Sequence, residues 1–139
     1  MDSADKIPQE IVEATSRRDM YWGNATLALD KREYPKAAEL TWGAITQEWI
    51  RAGFFLANRI IGTHHAEYKQ LCRELSVLTG DRYFSDTYDE MNKLHSFFYR
   101  DEVLAAPERT VPELMKIAHE MITRLEADIA LRCGEGLTN

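Results

Sequence analysis

The 139 residues carry 17 Lys plus Arg against 23 Asp plus Glu, a formal charge of −6, which argues against sequence-independent binding to duplex DNA and leaves room for a local basic site. At 45% hydrophobic content, a chain of this length buries roughly 70% of its unfolded surface, so residues 1–139 are expected to form one domain with frayed ends over 1–7 and 134–139. Cys72 and Cys133 give no disulfide framework and no C-x-x-C pair, the opening MDSADKIPQEIVEA lacks an apolar signal core, and no run approaches the roughly 18 apolar residues of a membrane span. The expectation is a cytoplasmic protein with reduced thiols and no membrane partner.

Proline and glycine punctuate the chain into five helical segments. The first runs from about Pro8 to Lys31, with Ile11, Thr15, Arg18, Trp22, Ala25 and Leu29 along one face. Pro35 suits the first turn of a long central second helix, whose Ala38, Trp42, Ile45, Trp49, Ala52 and Leu56 alternate steps of 4 and 3. Gly23, Gly43 and Gly53 lie inside these two helices at about 1 kcal/mol each against alanine, so close approach of a neighbouring helix is expected at each. Gly62-Thr63 breaks the pattern. A third helix spans about His64 to Thr79, with Tyr68, Leu71, Cys72, Leu75 and Leu78 on one side and Gly80 as its left-handed cap. A fourth begins near Asp81 or Ser85 and aligns Phe84, Tyr88, Met91, His95 and Phe98, which turns His95 inward. Residues 100–109 lose the periodicity, and Thr110-Val-Pro-Glu113 reads as the capping box of a last helix with Leu114, Ala118, Met121, Leu125 and Ile129 inward. No segment alternates with period 2. The fold class is therefore all-α, an up-and-down bundle of about five helices.

The chemistry-bearing residues are few. His64, His65, His95 and His119 sit on three different helices, and no H-x3-H or E-x-x-H pair places two ligands on one helix face, so no metal site and no cofactor are expected. There is no G-x-S-x-G elbow and no glycine-rich phosphate loop, which excludes Walker and Rossmann nucleotide binding. Cys72 shares a stripe with Leu71 and Leu75 and reads as a buried thiol. Buried Trp and Tyr need partners for their N–H and O–H groups, so polar residues among Trp42, Trp49 and Phe97 to Tyr99 draw attention: Glu39, one turn before Trp42, and Gln47 are candidates to line a cleft.

At Ala37-Ala-Glu-Leu-Thr-Trp-Gly-Ala44, preceded by a turn from Asp30 to Pro35, and again at Leu94-His-Ser-Phe-Phe-Tyr99, the chain resembles the archaeal PaREP family. That family pairs a "kGdy.qAsEklWGA" turn and helix with a later "LH.nFY" motif; Phe97 stands where the second motif commonly has Asn. The likeness covers about residues 15 to 130. It implies a branch of the HEPN superfamily of helical bundles, small domains that often dimerise and occur as ribonucleases, toxins or partners of nucleotidyltransferases. On this likeness Glu39, Trp42 and Gly43 belong to the first motif, His95 and Tyr99 to the second.

Two functional readings follow. In the first, a self-associating HEPN-like module binds a partner protein, a nucleotide or an RNA end in a cleft lined by Glu39, Trp42, Gln47, Arg59, His95 and Tyr99. In the second, a metal-independent endoribonuclease or toxin uses Arg59 with His64 or His65, matching the superfamily's Arg-x4-6-His pattern in Arg59-Ile-Ile-Gly-Thr-His64, with Arg stabilising phosphate charge and His moving a proton. That pair falls at the end of the second helix, whereas the superfamily's pair lies near the fourth. A tetratricopeptide-like reading of the first two helices fails because no 34-residue repeat recurs.

Overall fold

The computed structural model describes residues 6–99 and 106–138, excepting the side chains of residues 98, 99 and 134–138. Five helices form a bundle: α1 (Gln9–Asp30), α2 (Tyr34–Ala57), α3 (His65–Thr79), α4 (Tyr83–Tyr99) and α5 (Pro107–Thr138), with no strand among the described residues. The boundaries follow from local chemistry. The carbonyl of Pro8 accepts the amides of Ile11 and Val12 to open α1. Arg32, in the left-handed region at φ 60°, closes it as its amide and that of Glu33 turn back onto Leu29 and Ala28 in a Schellman arrangement. Pro35 lies in the first turn of α2, where its missing amide costs nothing. Asn58 and Gly80, at φ 57° and 77°, end α2 and α3 with left-handed caps.

Two expected boundaries move. The last helix starts at Pro107 rather than at the Thr110 capping box, because a proline at the first helical position leaves amides that have no intrahelical partner in any case; Pro112 is then carried inside the helix. Its other end does not stop at the glycines, since α5 continues through Gly134 and Gly136 to Thr138. Of the aperiodic stretch expected at 100–109, residues 100–105 lie outside the described residues.

Contacts between helices give their directions. Thr15 meets Arg51 and Arg18 meets Glu48, so α1 runs against α2; Tyr88 meets Trp49 and His95 meets Glu39, so α4 does too. Met121, Glu126 and Arg132 meet Trp49, Arg51 and Leu56, so α5 runs along α2. Between α2 and α3 the chain does not simply turn. His65 and Tyr68 stack near Trp42, and Leu71 lies beside Gly53, so α3 also points the same way as α2. The segment 58–64 therefore returns along α2 as a strap, pinned where the Arg59 amide donates to the Gly53 carbonyl and where Ile61 is buried.

The central helix is the hub. None of its residues from Ala37 to Ala57 is exposed, and its sequence is mainly apolar, with Glu39, Gln47, Glu48 and Arg51 as the polar exceptions among its larger side chains. Trp49, wholly buried, donates its indole N–H to Met121 Sδ at 3.1 Å and has the rings of Trp42, Tyr68 and Tyr88 within 5.3–5.6 Å. The interior glycines of the first two helices divide. A Cβ on Gly43 would stand 3.1 Å from the Tyr21 ring, the close approach expected of the α1–α2 hairpin, whereas at Gly53 the approaching group is the strap carbonyl of Arg59 at 3.3 Å. Gly23 has nothing within 4 Å, so the expected neighbour is missing there among the described residues.

Candidate functional site

Glu39 and Trp42 lie three residues apart and so share a face at the N-terminal half of α2. The antiparallel course of α4 lays His95 over them. Its Nδ1 stands 3.3 Å from both carboxylate oxygens of Glu39, and its ring stacks on the Trp42 indole at 5.0 Å and 26°. His65, at the first position of α3, is brought to the same indole at 5.3 Å by the returning strap, and its ring centre is 4.9 Å from that of His95. The strap end is held by the Glu67 carboxylate on the Gly62 amide at 2.6 Å, and the Tyr88 hydroxyl donates to the His65 carbonyl at 3.2 Å. Three helices and one strap thus place two imidazoles and a carboxyl on an indole floor.

Burial governs the electrostatics. Glu39 and His95 are each about a quarter exposed, and partial removal from water pushes the Glu39 carboxyl up to about 7. Near neutrality this carboxyl is protonated about half the time, so a proton is available 3.3 Å from the His95 ring. Trp42 is buried while His65 is exposed, so an incoming group meets the imidazole edges and not the indole face. Such a cluster can hold an anion through its N–H donors and can exchange a proton with it.

The remaining sequence candidates are distributed elsewhere. Arg59, on the strap, donates from Nε to Glu74 of α3 at 3.3 Å. His64 caps α3 with its backbone, its carbonyl accepting the amides of Glu67 and Tyr68, and its side chain is exposed. The expected Arg59–His64/His65 constellation is thus a guanidinium engaged by Glu74, a capping backbone and an imidazole turned onto Trp42, because the strap carries Arg59 toward α3 and delivers His65 to α2. Gln47 is half-buried, with its Oε1 shielded and without a hydrogen-bond partner. The Tyr99 side chain lies outside the described residues. His119 packs on Trp22 at 5.5 Å in a groove of about 460 Å³ between α1 and α5. Cys72 is buried with its thiol pushed upward by desolvation, and both cysteines are free. No group of three His, Cys, Asp or Glu side chains among the described residues is placed to hold a metal ion.

A second polar cluster went unread in the sequence. Glu48 of α2 is wholly buried and accepts from Arg18 of α1 at 2.8 Å; Arg18 also reaches Glu126 of α5 at 3.0 Å. Arg51 grips Glu126 through Nε at 2.7 Å and Nη2 at 3.0 Å, and donates to Thr15 at 3.0 Å. Its signal was present: Glu48 interrupts the buried row Ala37, Thr41, Ala44, Ala52, and Thr15 and Arg18 interrupt the inward stripe of α1. A carboxylate and a guanidinium on facing apolar rows are expected to meet, since neither is buried alone without a large cost.

Set beside protein-family models, curated proteins and solved structures, the chain finds no match among them.

Proposed function

We propose that this chain is a HEPN-like helical-bundle binding module whose recognition site is the Glu39–Trp42–His65–His95 cluster, and that it takes the phosphate-bearing end of a nucleotide or RNA. The observation that carries the reading is the pair of imidazoles from α3 and α4, 4.9 Å apart on one indole, with the inner one gripped by a carboxyl. The Glu39 contact fixes the ring plane, and a protonated Glu39 donating to Nδ1 keeps the His95 proton on Nε2 for donation to an anion. The beginning of α3 lies at the same place, and the positive end of its dipole favours negative charge. The PaREP-like motifs support the same residues, since Glu39, Trp42 and His95 all come from them. Self-association, as a homodimer in the cytoplasm, is part of the reading: Val12, Met20 and Leu27 are 46%, 53% and 57% exposed along the outer side of α1. A nucleotidyltransferase-type protein is the partner class that the resemblance supplies. The endoribonuclease reading draws less support, as the Arg59 guanidinium is committed to Glu74.

Titration calorimetry with adenosine monophosphate and with a short 5′-phosphorylated RNA tests the site. Binding by the wild type that weakens at least tenfold in His65→Ala and in His95→Ala, with unchanged circular dichroism, is the expected result. Equal binding by wild type and both variants, or no binding of either ligand by the wild type, overturns the reading.

A further inference from the structure

The Arg18–Glu48–Arg51–Glu126 cluster lies apart from the proposed site and encloses a carboxyl that its cations do not fully satisfy. Two guanidiniums, Arg18 and Arg51, face three carboxyl groups: Asp19, 2.9 Å from Arg18 on α1, Glu48 on α2 and Glu126 on α5. Asp19 is 67% exposed and solvated, so the inner groups balance, two cations against two carboxylates, but one of those carboxylates has no exposed surface. Glu48 is also poorly solvated by the protein. Arg18 supplies one bond to Oε1, and Oε2 is buried with no donor. A carboxylate offers about four lone-pair sites, and leaving most of them empty in the interior is costly. Arg18 Nη1 stands 2.8 Å from Glu48 Oε1 and 3.0 Å from Glu126 Oε2, so the two carboxyls meet on one nitrogen, and two carboxylates set side by side repel unless one of them carries a proton.

We propose that Glu48, buried with one oxygen unpartnered and meeting Glu126 on the same Arg18 nitrogen, holds a proton at neutral pH, so that this proton between the two carboxyls completes the junction of α1, α2 and α5 and acts as a latch on α1. The proton removes a charge from the dry interior, gives the orphaned oxygen a hydrogen, and leaves Glu126 ionised for the bidentate grip of Arg51. Burial raises Glu48 well above an ordinary carboxyl against the pull of Arg18, while Glu126, despite its partial burial, is held below one by Arg51. The aromatic face of Phe55, 5.0 Å from the Arg51 guanidinium, covers that cation without adding a titratable group. Alkaline pH removes the shared proton, sets two carboxylates against each other, and loosens the helix whose Arg18 spans them.

The test follows glutamate side-chain carboxyl carbons by NMR across pH 4 to 10 in the full chain, in a Glu39→Gln background because Glu39 itself titrates near neutrality. One carboxyl carbon should keep its protonated position through pH 7 and vanish from the spectrum in Glu48→Gln. Urea unfolding should show the folded-to-unfolded ratio falling up to tenfold per pH unit above the ordinary carboxyl range, a slope lost in Glu48→Gln. If Glu48→Gln does not fold, Glu126→Gln serves: without the Glu126 charge, the retained signal should titrate at lower pH. A spectrum in which every glutamate is ionised by pH 6, a retained signal that survives Glu48→Gln, or one that ignores Glu126→Gln overturns the proposal.

Discussion

Replacing Glu39 with glutamine isolates the titration of the proposed site. The wild-type carboxyl is pushed from 4.5 up to about 7 by burial, so the folded state binds more protons than the unfolded chain between these two values. For a carboxyl raised in this way, the stability it contributes is complete below pH 4.5 and is lost as pH rises through 7. The shift corresponds to about 3 kcal/mol, trimmed to about 2–3 kcal/mol because a quarter of the side chain remains in water. Glutamine keeps the shape and cannot ionise. Urea unfolding followed by tryptophan fluorescence at pH 5, 6, 7 and 8 should therefore show the Glu39→Gln protein gaining on the wild type as pH rises, with most of the difference present by pH 8. Parallel stability curves for the two proteins would refute the reasoning. They would mean that Glu39 is ionised to the same extent in the folded and unfolded protein across this range, against the burial argument.

Two further substitutions probe the scaffold. Gly23→Ala places a Cβ in open space inside α1 and should stabilise by about 1 kcal/mol, raising Tm by about 3 °C in a thermal melt, whereas Gly43→Ala should gain less because its Cβ meets the Tyr21 ring at 3.1 Å; a loss at Gly23 would reveal a neighbour on that face. Trp49→Phe removes the donor to Met121 Sδ and leaves a void among the surrounding rings, with an expected cost of about 2 kcal/mol in urea unfolding; a neutral result would mean that the core closes over the gap.

Helix phase made much of this molecule readable in advance. Pro35 and Gly80 mark element ends because each acts locally, through a missing amide or a left-handed backbone. The inward stripes of α2, α4 and α5 follow from spacing alone, whereas the grouping of Glu39 and Trp42 with His95 rests on the family resemblance. His65 was visible as a residue but not as a neighbour of Trp42. Its position depends on residues 58–64 doubling back along α2, a path set by Ile61 finding burial and by Gly53 admitting the Arg59 carbonyl. The same path explains why Arg59 faces Glu74 instead of a histidine. At α5 two valid start signals competed, Pro107 and the Thr110 box, and the earlier one prevailed because nothing in between opposes a helix. The buried charges of α1, α2 and α5 were masked by being single polar residues on otherwise apolar rows, and only their convergence in space gives them meaning.

The course of α5 along α2 also orders events during synthesis. The indole of Trp49 waits for Met121, 72 residues later in the chain, and the Arg51 guanidinium waits for Glu126, 75 residues later. The α1–α2 hairpin can pair soon after it emerges, since its contacts are short-range, but the side of α2 destined for α5 stays bare until the last segment of the chain is made. A nascent chain truncated before residue 107 would therefore present an apolar helix face beside an arginine that lacks its carboxylate, a surface suited to chaperone capture until α5 arrives.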